Sequence, residues 1–338
     1  MTDQLFGTGK VPAPILESLL RPYHGEASGL VVEPSVGVDG AVLNTDGALL
    51  VAASDPITFA SQRIGWYAVH INANDVACMG ATPRWFLATI LMPQPGLSSQ
   101  IADIFDQIYE ACDSLGVALV GGHTEMTQGI DRPIIAGTML GTVAADRLIS
   151  PTNAQAGDAI LIVKPFPIEA AALIANERAA ELKAQGWTAA EIEAAQNTLF
   201  DPGLSVVDAA QIAMAYGHVR AMHDPTEGGI AGGLRELAQA AGLGLEVDID
   251  ALPRLPLGVR LCLEYDLNPL GAIASGSLLV VMSADHADGL VARYAAEGIV
   301  AANVGRMTEA GSGEWLLSDD ERMPLPTFSV DEITKLYS

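Results

Sequence analysis

The segment His70-Ile71-Asn72-Ala73-Asn74-Asp75-Val76-Ala77-Cys78-Met79-Gly80 organises the rest of the chain. It ends an apolar stretch that begins near Ile64, and Gly80 is typical of a helix C-terminus, so we predict a helix here. Asp75 is the only formally charged residue of this stretch. Apolar residues surround the helix on almost every side, which predicts a buried position. A buried carboxylate is costly without a partner, and a bound Mg²⁺, a distant arginine or the end of a neighbouring element would each supply one.

The composition limits the classes of protein to which the chain can belong. Its 338 residues are 50% hydrophobic and 17% charged, which is typical of a globular protein and not of a disordered one. A net charge of -24 without a basic patch argues against binding to nucleic acid or to anionic membranes. No apolar run has the length of a membrane span, and the first residues have no signal-peptide pattern. Cys78, Cys112 and Cys262 lie far apart among apolar residues, which predicts buried free thiols in a cytoplasmic protein.

Strands and helices are mixed in both halves of the chain, so we predict the α/β (α+β) class with two sandwich domains. We expect a short buried strand at residues 117–120, a final strand at 299–304, and a capping box at 224–227 that starts a helix. The loop at residues 147–157, which contains Ser150-Pro151-Thr152-Asn153, marks the boundary between the domains. The predicted divisions are an N-terminal arm at 1–28, an N-terminal domain at 29–148, a C-terminal domain at 149–315 and a C-terminal tail at 316–338.

Four acids have a similar setting: Asp39, Asp55, Asp75 and Asp224. Asp39 and Asp55 lie at predicted strand ends, Asp75 lies in the helix, and Asp224 precedes a predicted helix. Ligand-binding groups normally occupy such loops. Taken singly, each acid has a structural explanation as a turn residue, a cap or a buried ion partner. Carboxylates that converge without basic partners repel one another, however, and a divalent cation relieves that repulsion. The set as a whole therefore favours a Mg²⁺ site.

Two pairs of glycines favour a phosphate site. Gly121-Gly122 follows a predicted strand, and Gly228-Gly229 lies in the first turn of a predicted helix, so that a phosphate could approach backbone N–H groups at both places. Neither pair belongs to a Walker A loop, because no Gly-Lys-Ser/Thr follows. The adjacent His123 is a base, a phosphate contact or a structural hydrogen-bonding group, and His24 and His223 have the same alternatives.

Five motifs follow one another along the chain: Gly37-Val38-Asp39-Gly40-Ala41-Val42, Ser54-Asp55-Pro56, Asn74-Asp75-Val76-Ala77-Cys78-Met79-Gly80-Ala81-Thr82-Pro83, Gly121-Gly122-His123-Thr124-Glu125 and Asp224-Pro225-Thr226-Glu227-Gly228-Gly229. Their order and spacing resemble the aminoimidazole ribonucleotide (AIR) synthetase superfamily. The resemblance covers about residues 9–306. It is closest to the hydrogenase-maturation branch, HypE, and to AIR synthase-related proteins.

The resemblance implies an AIR synthetase-like fold and an ATP-dependent enzyme of the synthetase or dehydratase kind, a ligase or phosphotransferase. Two N-terminal domains would pair through a β-barrel in a homodimer, each followed by a C-terminal α/β sandwich. ATP and Mg²⁺ would bind between the domains or across the dimer interface, and the enzyme would phosphorylate an amide, carbonyl or carboxyl oxygen of a small molecule or of a group presented by a partner. Carried over residue by residue, the metal ligands are Asp39, Asp55, Asp75 and Asp224, the nucleotide-site residues are Asn74, Gly121, Gly122, Glu125, Thr226, Gly228 and Gly229, and the catalytic candidates are His123 and Glu125.

Three departures from the family pattern concern the substrate and the metal. The hydrogenase-maturation proteins end in Pro-Arg-Ile-Cys, whose thiol carries a carbamoyl group, whereas this chain has no Cys after Cys262. The segment at 164–169 replaces a glycine-rich loop, and Val38 stands where many relatives have a second acid. We therefore expect residues 334–338 to be dispensable for turnover. Two alternatives stay open: a direct small-molecule kinase of the thiamine monophosphate kinase type, and a non-catalytic nucleotide-binding homodimer.

Overall fold

Two seven-stranded mixed sheets form the two halves of the computed structural model, which describes residues 30–32, 38–45, 47, 49–318 and 321–337. The predicted arm at residues 1–28 lies outside these ranges. The first sheet has the order β1-β2-β3-β7-β5-β6, with β4 beside β7, and only β5 and β6 run parallel. Its elements are β1 (Leu30–Val32), β2 (Ala41–Asn44), β3 (Leu49–Ala53), β4 (Pro56–Ile57), α1 (Ile64–Cys78), β5 (Thr82–Pro93), α2 (Ser98–Leu115), β6 (Ala118–Thr127) and β7 (Ile134–Val143).

The second sheet is covered on both faces. Residues of its central strands alternate between two hydrophobic cores, because successive side chains of a strand point to opposite sides. Its strand order is β14-β13-β10-β12-β8-β11-β9. The elements are β8 (Ala159–Val163), α3 (Ile168–Glu177), α4 (Ala179–Ala184), α5 (Ala189–Asn197), α6 (Val207–Tyr216), β9 (Val219–His223), α7 (Gly229–Ala241), β10 (Gly244–Asp248), α8 (Pro256–Glu264), β11 (Leu278–Met282), α9 (Ala284–Ala296), β12 (Ala301–Thr308), β13 (Glu314–Ser318) and β14 (Glu321–Pro324), with single turns at Ala145–Arg147, Pro151–Asn153, Leu199–Gly203 and Glu332–Tyr337.

The predicted fold class, α/β (α+β) with two domains, is confirmed, and α1 is the helix predicted around Asp75. All but one of its 15 residues are buried, because it lies between β5, β7 and α2 on one side and α6 and β9 of the second half on the other. Gly137 and Gly141 of β7 allow this close approach. A Cβ on Gly137 would collide with the side chains of Asn72 and Phe86, and one on Gly141 would collide with Val76.

We expect Gly137→Ala to lower the free energy of unfolding by about 1–3 kcal/mol, because it overpacks the contact between α1 and the sheet. The matched control is Gly121→Ala on β6, where the new Cβ would have only Leu87 Cδ2 nearby, at 3.7 Å. Urea unfolding of both variants measures the difference. The control should stay within about 0.5 kcal/mol of the wild type. If both variants unfold like the wild type, the close packing at Gly137 is contradicted.

Three local predictions were wrong. The strand expected at residues 117–120 is neither short nor buried: β6 runs to Thr127 through the glycine pair, and Val120 is 54% exposed because β6 is an edge strand. The strand at 299–304 is not the last, since β13 and β14 follow, and β13 crosses the predicted boundary at residue 315. The capping box at 224–227 does not form, because Gly228 is left-handed, with φ of 85°, and α7 begins only at Gly229.

Across the described ranges, every helix is either too short or too polar to cross a lipid bilayer.

Candidate metal and nucleotide site

The structure brings the four predicted metal ligands to one region between the two sheets. Asp39 precedes β2, Asp55 follows β3, Asp75 lies on α1, and Asp224 directly follows β9. Ligand atoms of Asp39, Asp224 and the neighbouring His223 all lie within 4.8 Å of one another. The second domain thus supplies two of these three groups, and the site forms only when both domains are in place.

The pKa values of Asp224 and Cys78 are raised by nearby carboxylates, which places these acids close together. Burial first, and then the carboxylates of Asp39 and Asp55, raise the pKa of Asp224 well above its ordinary value. The thiol of Cys78, one turn after Asp75, is 3.7 Å from Asp224 Oδ1. Burial raises the pKa of this thiol, and the charges of Asp224, Asp39 and Asp75 raise it further. Asp39 and Asp55 therefore disfavour the ionised form of Asp224 in a buried space, and Asp75 acts on the adjoining Cys78 thiol, as expected for a cation site.

His223 supplies a positive charge that the sequence analysis left undecided. Its Nδ1 lies 2.6 Å from Asp39 Oδ1, and its Nε2 lies 3.1 Å from Glu236 Oε2. Burial alone would lower the pKa of His223, but these two carboxylates outweigh burial and raise it to about 10. The sequence analysis considered the acids to converge without a basic partner, whereas Asp39 has one in His223. Its position next to Asp224 in the sequence was the only available signal.

His223 does not satisfy all the carboxylate oxygens of the site. Oδ2 of Asp39 and Oδ2 of Asp224 are buried and have no hydrogen-bond partner among the described residues. Buried carboxylate oxygens without a partner are costly, and a hard divalent cation takes such oxygens as ligands. The residues present therefore fit Mg²⁺.

Two asparagines of α1 hold the surroundings of the site. Asn72 bonds the main chain of Asp55 twice: its Oδ1 accepts from the Asp55 N–H at 2.8 Å, and its Nδ2 donates to the Asp55 carbonyl at 3.2 Å. Asn74 similarly bonds the carbonyl of Leu204 at 3.0 Å and the N–H of Val206 at 2.8 Å. The amide of Asn74, predicted to contact the nucleotide, thus joins the two domains instead.

The predicted residues on β6 lie elsewhere. His123 pairs with Thr89 of β5 and Glu125 with Leu91, which belong to the half-exposed row of β5 and not to the buried row under α1. His123 Nε2 and Glu125 Oε2 are 3.2 Å apart, and both side chains are exposed. Within one chain, the first sheet therefore separates this pair from the acids. Gly122 has a structural explanation, because its φ is 147° and a Cβ would collide with the backbone of Ala88.

The C-terminal segment is hydrogen-bonded to the second glycine pair, Gly228-Gly229. The Gly228 N–H donates to Asp331 Oδ2 at 2.6 Å, while Asp331 Oδ1 accepts from the N–H groups of Ile273 and Ile333. Gly229 is pressed against the carbonyls of Leu270 and Ala272, and the Thr226 carbonyl accepts from the Gly229 N–H at 3.0 Å. The sequence analysis missed Asp331, because about a hundred residues separate it from Gly228.

The segment at residues 164–169 contains two buried ionisable side chains. Lys164 has a positive φ of 66°, and its Nζ donates to the carbonyls of Gly203 and Ser205 at 2.6 and 2.8 Å. Burial lowers its pKa to about 7. Glu169, at the start of α3, is 3% exposed, and burial raises its pKa to about 8.

We expect Glu169→Gln to change the dependence of stability on pH. The folded pKa of about 8 lies above the ordinary 4.5, so folding favours the protonated form and stability falls as pH rises between these values. From pH 6 to pH 8 the wild type should lose about 2 kcal/mol from this group, and the glutamine variant should not. Urea unfolding at the two pH values tests this. Equal losses in both proteins would contradict a protonated Glu169 near neutral pH.

Family models match both halves of the chain. The N-terminal domain of AIR synthase related proteins matches residues 37–143, and the C-terminal domain matches residues 155–316. The chain belongs to the AIR synthase related family. The family includes a curated relative, the carbamoyl dehydratase HypE of Cupriavidus necator, which is 31% identical over 274 residues, or 78% of this chain and 75% of the relative.

Solved structures of family members share the fold. HypE in a HypE–HypF complex gives a TM-score of 0.73 at 20% identity, covering 94% of this chain and 100% of that one. HypE in complex with ATP gives 0.71 at 22% identity, covering 97% and 98%. These structures confirm the predicted two-domain fold class, while the family models and the curated relative confirm the predicted family and that this chain is an enzyme.

Proposed function

We propose that the chain is an ATP- and Mg²⁺-dependent enzyme that phosphorylates an amide, carbonyl or carboxyl oxygen of a small molecule or of a group presented by a partner protein. The convergence of Asp39, Asp55, Asp75 and Asp224 from both domains carries this proposal. The ATP complex of the related HypE supports the choice of nucleotide.

The roles of the residues follow from their contacts. The four aspartates would hold Mg²⁺, which when bound neutralises phosphate charge. His223 fixes Asp39, Asn72 fixes the main chain of Asp55, and Asn74 holds the segment at 204–206 against α1. The acid cluster has no activated nucleophile, since burial and the neighbouring carboxylates keep the Cys78 thiol protonated. The site therefore suits transfer of a phosphoryl group to an oxygen of the substrate.

We also propose that the chain works as a homodimer. The face of the first sheet opposite α1 exposes a half-buried row that includes Leu87, Leu91, Ile134 and Leu140, and a second copy would cover it. His123 and Glu125 lie on this face, so they could reach a nucleotide only across such an interface. We expect sedimentation of a dimer at micromolar concentration. A monomer under these conditions would contradict both the barrel and a role for this pair.

The substrate is proposed to be diffusible or presented by another protein, because Cys78, Cys112 and Cys262 are buried and burial raises the pKa of each thiol, so none of them suits a carrier role. The complex of HypE with HypF supports a partner-presented group. The three buried free thiols are consistent with action in the cytoplasm.

A screen of metabolites for stimulated ADP release, with Mg²⁺ present, tests the function. Release of inorganic phosphate with the product supports activation of an oxygen by phosphorylation. Retention of labelled phosphate on the product would instead identify a direct kinase, which the lack of a carrier thiol favours as the second candidate. If the protein binds ATP but releases no ADP with any metabolite of the screen, only the non-catalytic alternative is left.

A further inference from the structure

An open groove of about 1060 Å³ lies at the junction of the two domains, away from the acids. It is lined by the C-terminal end of α1, the ends of β5 and β7, and α6. On the β2–β3 hairpin it reaches the paired residues Asn44 and Leu49, whereas Asp39 and Asp55 flank the opposite end of the same hairpin. The groove is therefore a separate feature of the molecule.

The charges of this groove differ from those of the rest of the chain. Arg84 and Arg147 both line it, and its described lining contains no Asp or Glu. This is unexpected in a chain with 41 acidic and 17 basic residues. Such a lining attracts negatively charged ligands, whereas the acidic remainder of the surface attracts cations.

The other arginines behave differently. Nine of the twelve arginines in the described ranges lie within 4 Å of a carboxylate. The three without such a partner are Arg84, Arg147 and Arg254, and two of these three face the same groove. With acids so abundant, two guanidinium groups without an ion pair in one cavity whose described lining has no acid indicate that their partner comes from outside the chain.

The local geometry suits a ligand with several charges. Arg84 Nε donates to Thr142 Oγ1 at 2.8 Å, which holds the side chain along the sheet and leaves its terminal N–H groups for another acceptor. A guanidinium binds phosphate and carboxylate oxygens through two parallel hydrogen bonds. Gln211 of α6 adds a neutral polar group, and the small residues Gly80 and Ala81 leave room for the body of the ligand.

We propose that this groove binds a small polyanion, a metabolite with phosphate or carboxylate groups, through Arg84 and Arg147. Because α1 and α6 belong to different domains, the ligand would contact both domains at once. This site is independent of the proposed binding of Mg²⁺-ATP.

Calorimetric titration with pyrophosphate and with citrate, at low salt and in buffer freed of divalent cations by a chelating resin, tests the proposal. The wild type should bind at least one of the two saturably, and preference for pyrophosphate or citrate distinguishes phosphate from carboxylate ligands. The double variant Arg84→Gln/Arg147→Gln should bind at least about tenfold more weakly, and binding to the wild type should weaken as salt rises. Arg254→Gln is the matched control, because it removes the third unpaired arginine outside the groove, and it should bind like the wild type.

Two further measurements separate this result from the proposed function. Asp224→Asn should keep the binding of the polyanion, because the acids are not involved. The double arginine variant should keep the wild-type unfolding midpoint and the stabilisation by Mg²⁺-ATP. The absence of saturable binding of either polyanion to the wild type, or equal affinity in the double arginine variant, would overturn the proposal.

Discussion

Asp224→Asn should abolish stabilisation by Mg²⁺-ATP while making the protein without nucleotide more stable. Asp224 is 1% exposed, and burial together with the charges of Asp39 and Asp55 raises its pKa. The raised pKa means that the ionised carboxylate of Asp224 is unfavourable when no cation is bound. An amide of the same shape removes this cost, but it also removes a ligand for the cation.

Thermal unfolding with and without Mg²⁺-ATP measures both effects. At a ligand concentration of about 100 times the dissociation constant, the wild type should gain about 2.7 kcal/mol, and the variant should gain almost nothing. Asp75→Asn should likewise lose this gain, since the charge of Asp75 raises the pKa of the same Cys78 thiol as the charge of Asp224. ATP turnover, once a substrate is found, should fall in both variants by at least about a hundredfold.

Asp158→Asn is the matched control. Asp158 is also buried, but its carboxylate lies 2.9 Å from Arg220 Nε and away from the four acids. Its substitution leaves Arg220 without a partner, so the protein without nucleotide should become less stable, while the gain from Mg²⁺-ATP stays the same. An unchanged gain in Asp224→Asn would remove Asp224 from the proposed metal site.

The sequence predicted those parts of the fold that depend on local pattern. The apolar stretch from about Ile64 to Gly80 predicted α1, which runs from Ile64 to Cys78. The mixture of strands and helices along the chain predicted the α/β (α+β) class. In both cases the signal lies within short segments of the sequence.

The errors arose where a distant segment decides the structure. The run Val117–Val120 is apolar enough for a buried strand, but its place at the edge of the sheet depends on which strands pair, and no local pattern reports that. Asn74 is of a residue type that often contacts ligands. Only the position of the segment at 204–206 shows that its amide forms hydrogen bonds between the domains. The convergence of the acids could be inferred from the family resemblance, but the ion pair between Asp39 and His223 could not.

Deletion of residues 331–338 should destabilise the protein by several kcal/mol, whereas the sequence analysis expected residues 334–338 to be dispensable for turnover. Ile333 is 0% exposed and Leu336 is 5% exposed, and removal of such a side chain costs about 2–5 kcal/mol. Tyr337 stacks on Phe59, with 5.9 Å between the ring centroids, and its hydroxyl donates to the Phe59 carbonyl. The segment is therefore part of the folded core and cannot swing freely into the site.

Single substitutions at Asp331 separate packing from hydrogen bonding. Asp331→Ala leaves the N–H groups of Gly228, Ile273 and Ile333 without their acceptor, at a cost of about 1–3 kcal/mol for each buried group. Asp331→Asn keeps one oxygen that accepts from the N–H groups of Ile273 and Ile333. Its NH₂ group faces the Gly228 N–H, which loses its acceptor. The unfolding midpoints should thus fall in the order wild type, Asn, Ala. A truncated protein that unfolds like the full chain, or an alanine variant as stable as the asparagine variant, would contradict the packing and hydrogen bonding of residues 331–338 and would leave the Gly228 N–H for the phosphate path.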